Sequence, residues 1–248
     1  MIMNIKRNIL ALLMIMTATA MSASTACQQD TAVTETPTAE DEFNGCKELA
    51  EQGYAEAQTM LGVLYYSGKG TERDYGQAAA WFQKAADQGF AKGEYNLALC
   101  YYNGDGVEQD YSQAATWFTK AAEQGHVASQ YNIAYCYYMG LGVKKDYQQA
   151  FTWYSKAAEQ GDAAAQNSLA RCYQNGQGTK KDDVKAFEWY TKAAEQGYAA
   201  AQYNLGCCYQ NGQGTTRNVY VAYEWVKKAA EQGYADAQQA LHDVYGQP

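Results

Sequence analysis

The sequence predicts an all-α protein of the solenoid class, and three observations predict it. The tetrapeptide Ala-Glu/Asp-Gln-Gly ends at Gly53, Gly89, Gly125, Gly161, Gly197 and Gly233, a spacing of 36 residues with no insertion. Each interval holds two apolar patterns of helical period divided by a Gly-x-Gly break. All five Trp occupy one place in that interval. A fixed period of 20–50 residues marks stacked supersecondary units that bury a core only against their neighbours.

The elements follow in chain order. Met1 to Ala26 has the order of a secretory leader: Lys6 and Arg7, an apolar run from Ile9 to Met16, then small residues. The run is too short to span a membrane, which takes about 20 apolar residues. Ser24-Thr25-Ala26-Cys27 resembles a lipoprotein lipobox, with Ser24 where an aliphatic residue is usual. That resemblance implies a lipidated Cys27 and an exported lipoprotein of the cell envelope, facing the periplasm or the outer surface and touching the membrane only through the lipid. Ordinary cleavage after Ala20 or Ala26 is the alternative. Loss of the leader takes the net charge from −8 to −10. Residues 28–44 are rich in Thr, Ala and Glu and lack apolar periodicity. They read as a flexible spacer, giving a signal peptide at 1–26, a lipidated Cys and linker at 27–44, and a repeat domain at 45–248.

Five full units run 54–89, 90–125, 126–161, 162–197 and 198–233, with partial units at both ends. The last shows the layout. Ala199 to Asn211 is a first helix, Gly212-Gln213-Gly214 ends it, and Asn218 starts a second that runs to Glu231. Earlier units place Asp74, Asp110, Asp146 and Asp182 at that start, an N-cap type. Gln77, Gln113 and Gln149 follow three residues later, a capping-box signature. In the second helix Ala78, Trp81 and Ala85 and their equivalents form one apolar stripe. In the first helix Leu61, Leu97, Ile133, Leu169 and Leu205 do the same. His242 falls in the small-residue column of the final helix, which reads as a cap.

The units thus share the consensus Ala-x-x-x-Leu-Gly/Ala-x-x-Tyr, then Gly-x-Gly, then Asp-x-x-x-Ala-x-x-Trp-Phe/Tyr-x-Lys-Ala-Ala-Glu-Gln-Gly, with single departures such as Gly93, Ser129, Ile133, Asn218 and Val226. This resembles the Sel-1-like repeat family, relatives of tetratricopeptide repeats, over roughly residues 46–246. The resemblance implies a right-handed superhelix of antiparallel helix pairs and a non-enzymatic protein-binding scaffold. A cysteine-rich, secreted subset of the family staples successive helices with cysteines eight positions apart, and β-lactam binding or hydrolysis is attributed to some members. Here those positions hold residues such as Ala194 and Gln202, so the staples are missing. A β-lactam or cell-wall ligand enzyme is therefore the lesser alternative, beside a secreted effector or adhesin.

Composition excludes further classes. An acidic chain is a poor match to nucleic acid, whose affinity comes from Lys and Arg on phosphates. Two His leave little imidazole chemistry. No catalytic residue, metal or cofactor is expected. Cys100, Cys136, Cys172 and Cys208 recur at the repeat spacing, too far apart to bridge, and read as buried free thiols packed as small hydrophobes. Cys46 and Cys207 lie outside that column, and Cys207 is a candidate exposed thiol.

Columns that differ between units are free to read a partner. One face of the first helix varies at i, i+4, i+7: Thr59/Val63/Tyr66, Tyr95/Leu99/Tyr102, Tyr131/Tyr135/Tyr138, Asn167/Arg171/Gln174 and Tyr203/Cys207/Gln210. By resemblance this face lines the concave groove. Tyr and Arg are enriched at binding hot spots. The expected partner is a protein or peptide held by Tyr95, Leu99, Tyr102, Tyr131, Tyr135, Tyr138, Asn167, Arg171 and Tyr203. The competing reading has the Tyr residues only filling space between helices.

Overall fold

The computed structural model describes residues 38–246, in two compact units, one ending at Asp110 and one beginning at Tyr111. The described residues form twelve α-helices and no strand. The expected leader and Cys27 lie outside the described residues. The first unit contains α1 (Ala39–Glu51), α2 (Ala55–Ser67), α3 (Tyr75–Asp87) and α4 (Ala91–Asn103). The second contains α5 (Tyr111–Glu123), α6 (Val127–Met139), α7 (Tyr147–Glu159), α8 (Ala163–Asn175), α9 (Asp183–Glu195), α10 (Ala199–Asn211), α11 (Val219–Glu231) and α12 (Ala235–Tyr245). Within each unit consecutive helices pack in pairs, an all-α fold of the solenoid class. Even-numbered helices are the first of each repeat.

The local signals work for identifiable reasons. Asp74, Asp146, Asp182 and Asn218 are extended N-caps whose side chains accept backbone N–H groups of the first turn. Gln77 and Gln149 offer only those N–H groups, so the reciprocal half of the expected capping box is not made there. Gly140 ends α6 in the left-handed region, at φ +81°, and its N–H closes on the Cys136 carbonyl at 2.7 Å. Gly142, at φ +68°, answers a second demand. A Cβ there would collide with the Tyr111 carbonyl and come within 2.5 Å of the Ser112 nitrogen, both at the start of α5. The second glycine of the Gly-x-Gly break is thus where a loop lies flat on the preceding repeat.

One boundary is corrected. Residues 38–44, read as spacer, instead open a helix. Thr38 and Asp41 form a full capping box, with Asp41 N–H donating to the Thr38 hydroxyl at 3.2 Å and Thr38 N–H to the Asp41 carboxylate at 3.0 Å. Phe43 is buried and meets the Tyr65 ring edge-on at 5.2 Å. The helix forms because one aromatic anchors it, a signal too short to register as periodicity.

The cores repeat. Ala78, Ala114, Ala150, Ala186 and Ala222 are buried, as are Leu61, Leu97, Ile133, Leu169 and Leu205. Trp81 and Trp153 are buried, while Trp117, Trp189 and Trp225 are half-buried. Each carries the ammonium of the Lys three residues on, at 3.5–4.2 Å from the ring centroid in Lys84, Lys120, Lys156, Lys192 and Lys228. This cation–π contact accounts for the Trp-x-x-Lys spacing. The cysteine column is buried and unpaired.

A buried amide ladder also runs through the repeats. Gln58, Gln130, Gln166 and Gln202 each donate to a carbonyl eight residues earlier, at Ala50, Ala122, Ala158 and Ala194, at 3.2 Å. Each then accepts from the Gln of the Glu/Asp-Gln-Gly turn 30 residues on, at 2.7–2.8 Å. The ladder satisfies helix-terminal carbonyls that would otherwise be buried without partners.

Candidate functional site

The expected binding face splits by what its side chains already do. At its third position Tyr66, Tyr138 and Gln174 are tied to the next repeat's loop. Tyr66 donates to Asp105 at 2.8 Å, Tyr138 to Gln177 at 3.2 Å, and Gln174 to Gln213 at 3.5 Å, each 39 residues on. Gln174 also accepts from the buried Tyr190 hydroxyl at 2.9 Å. The middle residue of Gly-x-Gly is therefore a tether point.

The first position is half-buried to buried. In the first unit, the Thr59 hydroxyl turns back to the Ala55 carbonyl, and Tyr95 is half-buried, its phenol pushed up by burial. Leu99 and Tyr102 are half-buried beside it on α4. In the second unit, Asn167 is buried and accepts from the Asn204 amide at 2.9 Å, joining α8 to α10. Tyr203 packs against Tyr234 with ring centroids 5.6 Å apart. Burial, then the neighbouring Cys207, pushes its phenol up to about 12.

The second position keeps groups for a partner. Val63 and Arg171 are exposed, and Tyr135 is half-buried. Tyr131, Tyr135, Tyr138, Tyr154, Ser168 and Arg171 line one cleft of about 80 Å³ on α6, α7 and α8. Its floor is Tyr154, buried, with its ring centroid 5.7 Å from that of Tyr131. Both phenols hydrogen-bond Ser168, and burial raises both phenol pKa values. Three of the expected residues in the second unit thus meet Arg171 here, whereas Asn167 and Tyr203 lie outside the cleft lining.

Tyr154 and Ser168 were not anticipated. The signal was present in the column Phe82, Phe118, Tyr154, Tyr190, Val226. A buried Phe-to-Tyr change brings a hydroxyl that needs a partner. Ser168 and Gln174 supply those partners. Cys207, expected as an exposed thiol, is half-buried and bonded to Tyr203, and burial raises its pKa. This opposes thiolate reactivity. His242 is exposed beside Asp243, at 2.8 Å, and the described residues contain no cluster of three or more metal-ligating side chains. No described helix is long and apolar enough to cross a membrane.

Comparison with known proteins follows this geometry. The Sel1 repeat pattern matches residues 55–90, 91–126, 127–162, 163–198 and 199–234. A Sel1 repeat protein from Oxalobacter formigenes is 35% identical, with a TM-score of 0.80, over 84% of this chain and 82% of that one. A protective antigen of uropathogenic Escherichia coli strains, with an SLR fold, is 36% identical with a TM-score of 0.79. The match covers 84% of this chain but spans only 44% of the antigen's length. A Sel1 repeat protein from Klebsiella pneumoniae is 27% identical, with a TM-score of 0.51, over 82% of this chain and 99% of that one. No curated protein matches the sequence.

Proposed function

This chain belongs to the Sel1 repeat family, and on that premise we propose that it is an envelope scaffold that holds a protein or peptide along the varying face of its even-numbered helices. Sel1 repeats generally mediate protein–protein interaction and are typically non-catalytic. One observation carries the reading. The columns that build the repeats are buried, while the second position of the varying face holds Val63, Leu99, Tyr135 and Arg171, wholly or partly open to solvent. Aromatic and Arg side chains at the centre of a face are the usual hot-spot chemistry. In the first unit the face is Tyr95, Leu99 and Tyr102. In the second it is the cleft around Tyr135 and Arg171.

The test is crosslinking capture from native envelopes, comparing the wild type with a Tyr95→Ala, Tyr131→Ala, Tyr135→Ala variant shown to be folded by circular dichroism. A protein captured by the wild type and lost in the variant supports the face. Equal capture moves the site to the loops or the opposite face.

The location rests on the leader and Cys27. Palmitate labelling that is abolished by Cys27→Ala supports a lipid anchor. The E. coli relative is described as a protective antigen, which favours a second reading, exposure on the cell surface or release into the medium. Unlipidated protein in culture medium would establish the second reading over the first.

A further inference from the structure

The cleft on α6, α7 and α8 surrounds a cation with polar neutral groups. Arg171 is exposed, lines the cleft, and makes no hydrogen bond or ion pair among the described residues. Tyr135, beside it, likewise makes no hydrogen bond among the described residues. The other hydroxyls are engaged: Tyr138 with Gln177, and Tyr131 and Tyr154 with Ser168. The acid that acts on Tyr131 is Asp162. Its carboxylate is held at the start of α8 by the Ala165 N–H, at 2.7 Å. What the cleft offers an incoming group is therefore a planar guanidinium and one phenol donor. A planar carboxylate fits a guanidinium in a two-pronged hydrogen bond.

We propose that this cleft receives the carboxylate of a single Asp or Glu side chain on the partner peptide, deepening the reading of this face as a docking surface, on which it rests. Size supports a side chain rather than a strand. The cleft's volume of about 80 Å³ is roughly half that of a cavity that holds one benzene ring, about 150 Å³. Charge supports one carboxylate rather than a phosphate or an acidic run. The cleft lining carries a single cation, and phospho-group readers use clusters of Arg. The chain itself is net −8 and repels a polyacidic segment. The partner segment is thus an isolated acidic residue flanked by apolar or aromatic residues, which pack on Tyr131, Tyr135 and Tyr138.

Random peptides displayed on phage are selected on the purified full chain, and synthetic versions of the enriched peptides are titrated by fluorescence anisotropy. The expected peptides share one Asp or Glu among apolar residues. Converting that acid to its amide weakens binding at least tenfold. Arg171→Gln, whose urea midpoint should match the wild type because the side chain is exposed, weakens the acidic peptide equally but leaves the amide peptide unchanged. If R171Q binds acid and amide peptides as the wild type does, the carboxylate site is overturned, and loss of binding in Tyr135→Ala then still upholds the docking face. Binding unaffected by R171Q and by Y135A overturns both, as does failure to enrich any peptide. Tighter binding when phosphoserine replaces the acid overturns the carboxylate assignment.

Discussion

Gly142→Ala and Gly161→Ala separate two reasons for a glycine that recurs once per repeat. Both residues have positive φ, +68° and +95°. A Cβ at Gly161 meets nothing within 4 Å, so G161A carries only the left-handed backbone cost of about 1–2 kcal/mol. A Cβ at Gly142 collides with the Tyr111 carbonyl, and backbone cannot swing aside as a side chain can. Overpacking adds about 1–3 kcal/mol. G142A is therefore destabilised by about 2–5 kcal/mol. In a chain of this size 1 kcal/mol shifts Tm by roughly 2–4 °C. Thermal unfolding followed by far-ultraviolet circular dichroism should show G161A lower by roughly 2–8 °C and G142A lower by a clear margin beyond that, on the order of 10 °C. Equal losses in the two variants would refute the claim that the Gly-x-Gly loop lies against the preceding repeat.

Other predictions follow from the same packing. Gln166→Ala strands the Ala158 carbonyl, which Gln166 reaches at 3.2 Å, and should cost about 1–3 kcal/mol in urea unfolding; a neutral result would mean water replaces the ladder. Cys100, Cys136, Cys172 and Cys208 should resist iodoacetamide at pH 8 in the native state, with Cys207 labelling before them by mass spectrometry. Burial lifts these four thiols from an ordinary value of 9.0 to about 11–12. The unfolded thiols ionise first, so this stability is complete below about pH 9 and lost as pH rises toward 11–12; urea midpoints that stay flat over that window would contradict it.

Much of the fold was legible because it depends on local chemistry. N-cap Asp residues, the αL glycines and the Ala–Trp–Ala stripe each act within a few residues, and the helix bounds follow them. What stayed hidden is contact across 30 to 39 residues. Gln58, Gln130, Gln166 and Gln202 look like solvated polar positions in one helix, and only the packed turn reveals them as buried donors. Tyr138 and Gln174 belonged to a plausible binding stripe by spacing, yet they are tied to the following loop. Tyr154 and Ser168 come from different columns and meet only through packing. The helix at 39–44 escaped because one aromatic, Phe43, and one capping pair specify it.

If the proposed docking face is right, the partner lies over Tyr135 and Arg171. The direct measurement is site-specific photocrosslinking in native envelopes, with a photoreactive phenylalanine analogue placed at Tyr135 and, separately, at Tyr220, an exposed aromatic at the start of α11. A discrete adduct is expected from position 135 and none from position 220. An adduct from position 220 with none from position 135 would contradict it.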